Sequence, residues 1–151
     1  MSLLSYEVRA EAEVAATAEE VWRVLTDLPG YPDWHPAIVE TSGALRVGAR
    51  QREVVRAGNG RTLTFRPVLT VVAPGRELTR RGRLLAPGIF TGVHSYRIEP
   101  AGDGRVRVMQ AERLSGVLVP FLRGRLATDT RAQFEAALAG LAARLEKDRR
   151  R

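Results

Sequence analysis

The stretch that most limits what this chain can fold into is its last, residues 120–147. Leu126, Thr130, Phe134, Ala137, Leu138, Leu141 and Leu145 recur at steps of three and four. On a helix of about 3.6 residues per turn they form one apolar stripe. Arg125, Asp129, Gln133, Glu135, Glu146 and Lys147 fall on the other side. At ~1.5 Å per residue such a helix is roughly 40 Å long. No other segment could pair with that length as a helix, and nearly everything before Pro120 reads as strand. The stripe therefore needs a sheet to cover it. The expected class is α+β, with a seven-stranded curved antiparallel sheet wrapped around one long C-terminal helix.

The strands announce themselves by alternation and by turns. Tyr6, Val8, Ala10, Ala12 and Val14 alternate with Glu7, Arg9, Glu11 and Glu13. Thr17-Ala18-Glu19-Glu20 is a capping box, in which the hydroxyl bonds an amide and the carboxylate reaches back. It opens a short helix carrying Val21, Trp22, Leu25 and Leu28, and Pro29-Gly30 ends it. Residues 31–34 offer one further helical turn, so two short helices separate the first strand from the second, 38–42. Turns then delimit strands at 49–56, 61–72, 77–85, 90–99 and 105–114. Gly58-Asn59-Gly60 predicts the tight hairpin between the third and fourth. The expectation is one domain over residues 1–151, with 148–151 a frayed tail.

Composition narrows the chemistry. There are no cysteines, so disulfides and thiolate chemistry are excluded, in keeping with a cytoplasmic setting. No apolar run approaches the ~20 residues of a membrane span. The opening residues lack the basic-then-apolar layout of a signal peptide. The net charge is +7 and Lys147 is the sole lysine. A positive surface attracts anions, nucleic acid or anionic lipid among them, but the arginines are scattered, which argues against a nucleic-acid interface. Neither a phosphate-binding glycine loop nor a Gly-x-Ser-x-Gly elbow occurs. His35 and His94 have no second ligand at helical spacing, so no metal and no cofactor are expected.

Strand parity picks out the side chains that face the helix. The last strand turns Val106, Val108, Gln110, Glu112 and Leu114 inward. The sixth turns Phe90, Gly92, His94, Tyr96 and Ile98; the fifth, Leu78, Arg80, Gly82 and Leu84; the fourth, Leu63, Phe65, Pro67, Leu69 and Val71; the third, Gln51, Glu53 and Val55. The interior is therefore mixed. Each buried charge costs on the order of several kcal/mol unless paired. Either they pair, as Glu112 with Arg80, or a ligand or water meets them. His35, between Trp34 and Pro36, is expected to fix a turn.

Residues 17–22 through Asp27, then Tyr31-Pro32-Asp33-Trp34-His35-Pro36, resemble the opening of the START-like, Bet v 1-like (SRPBCC) superfamily with its helix-grip fold. Gly88-Ile89-Phe90-Thr91-Gly92-Val93-His94-Ser95-Tyr96, Glu112-Arg113-Leu114-Ser115-Gly116 and Phe134-Glu135-Ala136 are similar to its bacterial polyketide cyclase/dehydrase branch. Relatives often carry a bulky apolar residue where this chain has Arg80. The resemblance implies a cavity between sheet and long helix for a mid-sized hydrophobic molecule, lipid-, polyketide- or isoprenoid-like.

Binding contacts are then expected from Arg80, Tyr96, Gln110, Phe65, Phe90, Glu53, Phe134 and Leu138, with gates at 85–89 and 116–123. The alternative is a cyclase or dehydratase using Glu112 as base and His94 as acid. A third reading has the basic surface meeting RNA or another anionic partner. Either a monomer or a homodimer fits.

Overall fold

The first strand, β1 (Ser5–Val14), follows its alternation. Val8 and Val14 are buried, and Ala10 and Ala12 pack against the core. A computed structural model of the chain describes residues 4–57, 59–84 and 86–151, apart from the side chains at 84, 122, 123 and 125–127. Gly58 of the expected hairpin, Leu85 of the expected gate, the inward Leu84 side chain, and the Arg125 and Leu126 side chains of the helix pattern lie outside the described residues.

Helix α1 (Ala18–Thr26) starts on the predicted capping box. The Glu20 amide donates to the Thr17 hydroxyl at 3.1 Å, and the Thr17 amide donates to the Glu20 carboxylate at 3.1 Å. A 3-10 segment (Leu28–Asp33) follows. The Tyr31 hydroxyl clamps it by donating to the Leu25 carbonyl at 2.7 Å.

The remaining strands are β2 (Ile38–Ser42), β3 (Arg52–Arg56), β4 (Thr62–Phe65), β5 (Val68–Ala73), β6 (Glu77–Leu84), β7 (Phe90–Gly102) and β8 (Arg105–Ser115). They form two antiparallel sheets, ordered β1-β8-β7-β6-β5 and β2-β3-β4. The strand expected at 61–72 is thus two strands, giving eight in place of seven. Pro67 explains the break, since it has no amide to give a ladder. Around it the sheets are stitched: the Gln51 amide donates to the Pro67 carbonyl at 2.7 Å, and the Leu69 amide to the Ala49 carbonyl at 3.0 Å.

A register shift between Leu69 and Val71 moves the inward face by one residue. Leu69 is buried as expected, but beyond the shift Val72, not Val71, packs against the core.

Helix α2 (Val119–Arg149) closes the fold against β1 and β8. Its stripe is realised: Phe134, Ala137, Leu138, Leu141 and Leu145 are buried. Leu138, Leu141 and Leu145 share one core with Leu78, Tyr96, Ile98, Val106 and Val108. The helix runs on to Arg149, whose guanidinium sits 3.9 Å from the Glu20 carboxylate. No helix among the described residues is long and apolar enough to cross a membrane.

Candidate functional site

The register of β5 to β8 lays one row of side chains across the inner face. Leu69 stands opposite Arg80, Arg80 opposite His94, His94 opposite Glu112, and Glu112 opposite Val8. Strands lie ~4.8 Å apart, so Arg80 and Glu112 flank His94 at roughly twice that separation. That geometry corrects the expected Glu112–Arg80 ion pair. Arg80 instead crosses to the other sheet, where its Nη1 donates to the Glu53 carboxylate at 2.6 Å. The pair is enclosed, with side-chain exposures of 5% for Arg80 and 16% for Glu53.

The rest of the guanidinium is unspent. Its Nε and Nη2 have no hydrogen-bond partner among the described residues and no access to solvent. Burial pulls the Arg80 pKa down, but Glu53, Tyr31 and Tyr96 more than offset it, so the side chain keeps its charge. Glu112 has no hydrogen bond or ion pair among the described residues. Burial, and secondarily Glu53, raise its pKa to about 7 against a smaller lowering by Arg80. Space for its carboxyl comes from Gly92 on the neighbouring strand: a Cβ there would stand 2.8 Å from the Glu112 Oε1.

His94 is held from two sides. Its ring meets Tyr96 at 4.7 Å and Phe134 at 5.5 Å, both edge-on. Its Nε2 lies 2.8 Å from the Gln110 Oε1, and the Gln110 Nε2 donates to the Phe134 carbonyl at 3.4 Å. Because the amide nitrogen is committed to a carbonyl, its oxygen is the acceptor, and His94 carries its proton on Nε2. Burial, then the Arg80 charge, lower the His94 pKa to about 3 despite the Gln110 bond. The ring is neutral at pH 7, with a bare Nδ1.

Exposure grades along this face. Tyr96 and Ile98 are buried at one end of β7, while His94, Gly92 and Phe90 are only half-buried toward the other. On β4, Phe65 stands opposite Glu53 and Leu63 opposite Val55, hence on the inward face. Both are nonetheless open, at 43% and 53% exposure. The inner surface is packed beneath α1 and opens beside β4, and the polar row sits at the border. Leu138, by contrast, lies wholly within the core. Among the described residues, concave spaces lie elsewhere: a groove of about 170 Å³ between α1 and α2, and one of about 600 Å³ on the outer face of β1, β7 and β8. Neither is lined by Arg80, His94 or Glu112.

The family model for polyketide cyclase / dehydrase and lipid transport matches residues 5–146. The chain belongs to that family. Among solved structures, the di-domain ARO/CYC StfQ of the steffimycin biosynthetic pathway is similar in fold, with a TM-score of 0.79 at 15% identity over 97% of this chain. The chain spans about half of that protein (52%). A protein of Thermus thermophilus has a TM-score of 0.75 at 21% identity, covering 95% of this chain and 99% of its own. A START superfamily protein of Mycobacterium smegmatis has a TM-score of 0.70 at 20% identity, covering 93% of this chain and 97% of its own. These likenesses support the START-like helix-grip fold. No curated protein matches the sequence.

In this polyketide cyclase / dehydrase-family chain, sequence reasoning missed how closely the 3-10 segment attends the row. Tyr31 is fully buried and near enough to Arg80 for each to shift the other. His35 fixes its turn as expected, its Nδ1 accepting from the Ala37 and Ile38 amides at 3.1 and 3.2 Å. Burial, then the nearby His94, lower its pKa to about 4. The spacing of the Tyr-Pro-Asp-Trp-His-Pro run gives no sign that its Tyr31 comes close to Arg80.

These shifts set a pH signature. An acid whose folded pKa is raised holds its proton longer in the native state than in the unfolded chain. Its contribution is therefore full below the ordinary glutamate value and is lost as pH rises through about 7. The two histidines act oppositely: their contribution is full above the ordinary histidine value and is lost as pH falls toward 4 and 3. Glu112→Gln is expected to gain stability over the parent as pH rises from about 5 to about 8. At ~1.4 kcal/mol per pKa unit the gain is on the order of 3 kcal/mol. Urea midpoints at both pH values check it; a difference independent of pH would place Glu112 in water.

Proposed function

We propose that the open part of the inner face binds a mid-sized hydrophobic molecule, lipid-, polyketide- or isoprenoid-like, oxygen end inward. The carrying observation is Arg80, buried with two N–H-bearing nitrogens that have no hydrogen-bond partner within normal geometry among the described residues. A buried donor left unmet costs ~1–3 kcal/mol, and a ligand carbonyl or carboxylate relieves that cost. Glu112, protonated near neutrality, is a second donor two strands away. Phe65, Phe90 and Phe134 supply apolar wall, and burial of apolar area at ~25 cal/mol per Å² drives binding. Tyr96 and Gln110 act by holding His94; Glu53 acts by holding Arg80.

Native mass spectrometry of the protein from its own host should show a retained small molecule. Titration with a long-chain fatty acid and the matching alkane tests the end group. The acid is expected to bind about tenfold or more tighter. Arg80→Met/Glu53→Leu is expected to erase that preference while keeping affinity for the alkane. Equal affinity of both ligands for the parent protein would refute the role of Arg80.

A second reading is favoured by the protonation states. Cyclisation or dehydration needs a proton taken from carbon and one delivered to oxygen. A protonated Glu112 suits the acid rather than the base assigned from sequence; His94, neutral but lowered to a pKa of about 3, is a weak base and suits a hydrogen-bonding, orienting role. Activity on a β-polyketone substrate falling at least ~100-fold in both Glu112→Gln and His94→Phe supports catalysis; undiminished turnover in either variant removes it.

A further inference from the structure

Two segments of this chain lack acidic residues altogether. Residues 78–98 hold four arginines and residues 113–128 three, without one Asp or Glu in either. The fold brings their tips together at one end. The Val117 amide donates to the Gly88 carbonyl at 3.0 Å, and the Leu118 amide to the Ile89 carbonyl at 3.2 Å. Gly116, at φ 122°, lets the loops touch: a Cβ there would lie 2.3 Å from the Ile89 carbonyl oxygen. The Gly116 amide donates to the Leu4 carbonyl at 2.9 Å, which adds the N-terminal edge to the same end.

What this end shows to solvent is apolar. Val119 is fully buried and anchors the turn, so its neighbours at 117 and 121 are turned out. Phe121 is 84% exposed in the first turn of α2, Val117 48% and Leu4 46%. Around them stand cations, with one carboxylate, Glu7, opposite Arg113 and paired with Arg9. Arg83 lies in the strand row that also holds Thr91, Ser115 and Ser5, and Arg113 lies two residues from Ser115. Both are exposed, and neither forms an ion pair among the described residues. Elsewhere on the same sheet, arginines do meet carboxylates: Arg97 meets Glu77, and Arg107 meets Glu13 and Glu99.

We infer that this end docks on the surface of an anionic lipid bilayer, with Phe121 and Val117 entering the headgroup–acyl boundary and Arg83 and Arg113 meeting lipid phosphates. An aromatic tip beside unpaired cations is the pattern that interfacial binding requires. The shape favours a bilayer over an acidic protein. The apolar side chains project from turns and a helix start; a fluid acyl layer accepts such a protrusion, whereas a protein needs a matching hollow. The inference is independent of the ligand reading, since docking holds whether the interior is full or empty.

Co-sedimentation with vesicles tests it, using phosphatidylcholine alone and phosphatidylcholine mixed with phosphatidylglycerol, each at low and high salt. The protein is expected to sediment with the mixed vesicles at low salt and to leave neutral ones in solution. Phe121→Glu should weaken binding at least ~tenfold, and Arg83→Gln and Arg113→Gln about fivefold each. Phe121 is nearly free of protein contact, so its variant should keep the parent circular dichroism. A triple variant, Arg149→Gln with Arg150→Gln and Arg151→Gln, controls for bulk charge in the C-terminal run and should bind as the parent does. Binding lost in the triple variant but kept in Phe121→Glu overturns the proposal. So does failure to bind any vesicle, which would leave the patch to a protein partner.

Discussion

Replacing Glu53 by leucine is expected to cost ~3–5 kcal/mol of folding stability, the usual penalty for stranding a buried charge. Arg80 is 5% exposed and its Nη1 leans on the Glu53 carboxylate at 2.6 Å. Without that anion the guanidinium would have neither counter-ion nor water. Arginine does not escape by losing its proton, so the chain must open to hydrate it. The double variant Arg80→Met/Glu53→Leu removes both charges and fills the space with apolar atoms. It is expected to recover most of the loss, because a desolvated ion pair contributes little net stability over a well-packed apolar pair. Urea unfolding reads both numbers, provided the slope stays constant. A cost below ~1 kcal/mol for Glu53→Leu would mean that water already reaches Arg80.

The second large effect reverses a general rule. Gly→Ala inside a helix ordinarily stabilises by about 1 kcal/mol. At Gly140 it is expected to destabilise by ~2–3 kcal/mol, the range for overpacking a tight contact. A Cβ there would stand 2.1 Å from the Trp34 carbonyl oxygen, a backbone atom that no rotamer change can move aside. Gly140 lets α2 settle onto Trp34 at the end of the 3-10 segment, and the Trp34 ring centroid lies 4.8 Å from that of Tyr31. Pushing α2 outward would loosen Leu138, Leu141 and Leu145 as well. Gly124, where no atom of the described residues lies within 4 Å of an added Cβ, is the internal comparison: Ala there should be neutral or stabilising. A stabilised Gly140→Ala protein would show that α2 can shift without loss.

The two experiments bear on the site by different routes. The first asks whether the polar row is dry, which decides how strongly a ligand oxygen would be held. The second asks how firmly α2 is seated over that row. The pH response of Glu112 supplies a third view, because its raised pKa exists only while water is kept from the carboxyl.

Local rules carried much of this protein. Alternation in β1, β7 and β8 named the inward residues from Tyr96 to Leu114 correctly, because one wet face and one dry face leave strands a single sensible orientation. The capping box at Thr17 and the stripe on α2 were legible for the same reason: each is set by residues within a few positions of one another. The sequence alone thereby determined the class of fold and, on β1, β7 and β8, which side chains turn inward.

Partnership was decided by tertiary structure. Arg80 and Glu112 share a face, yet whether they meet depends on the strand order, and His94 stands between them. The true partner, Glu53, belongs to another sheet, and the approach of the two sheets is set by the break at Pro67. The shift at Leu69 exchanged Val71 for Val72 through one inserted residue that periodicity does not mark. Phe65 has the parity of a buried residue and the exposure of a surface one, because burial depends on what lies across the gap and parity reports only direction. Contacts between distant segments follow from chain packing as a whole, and for that reason the unmatched donors of Arg80 come into view only once the chain is folded.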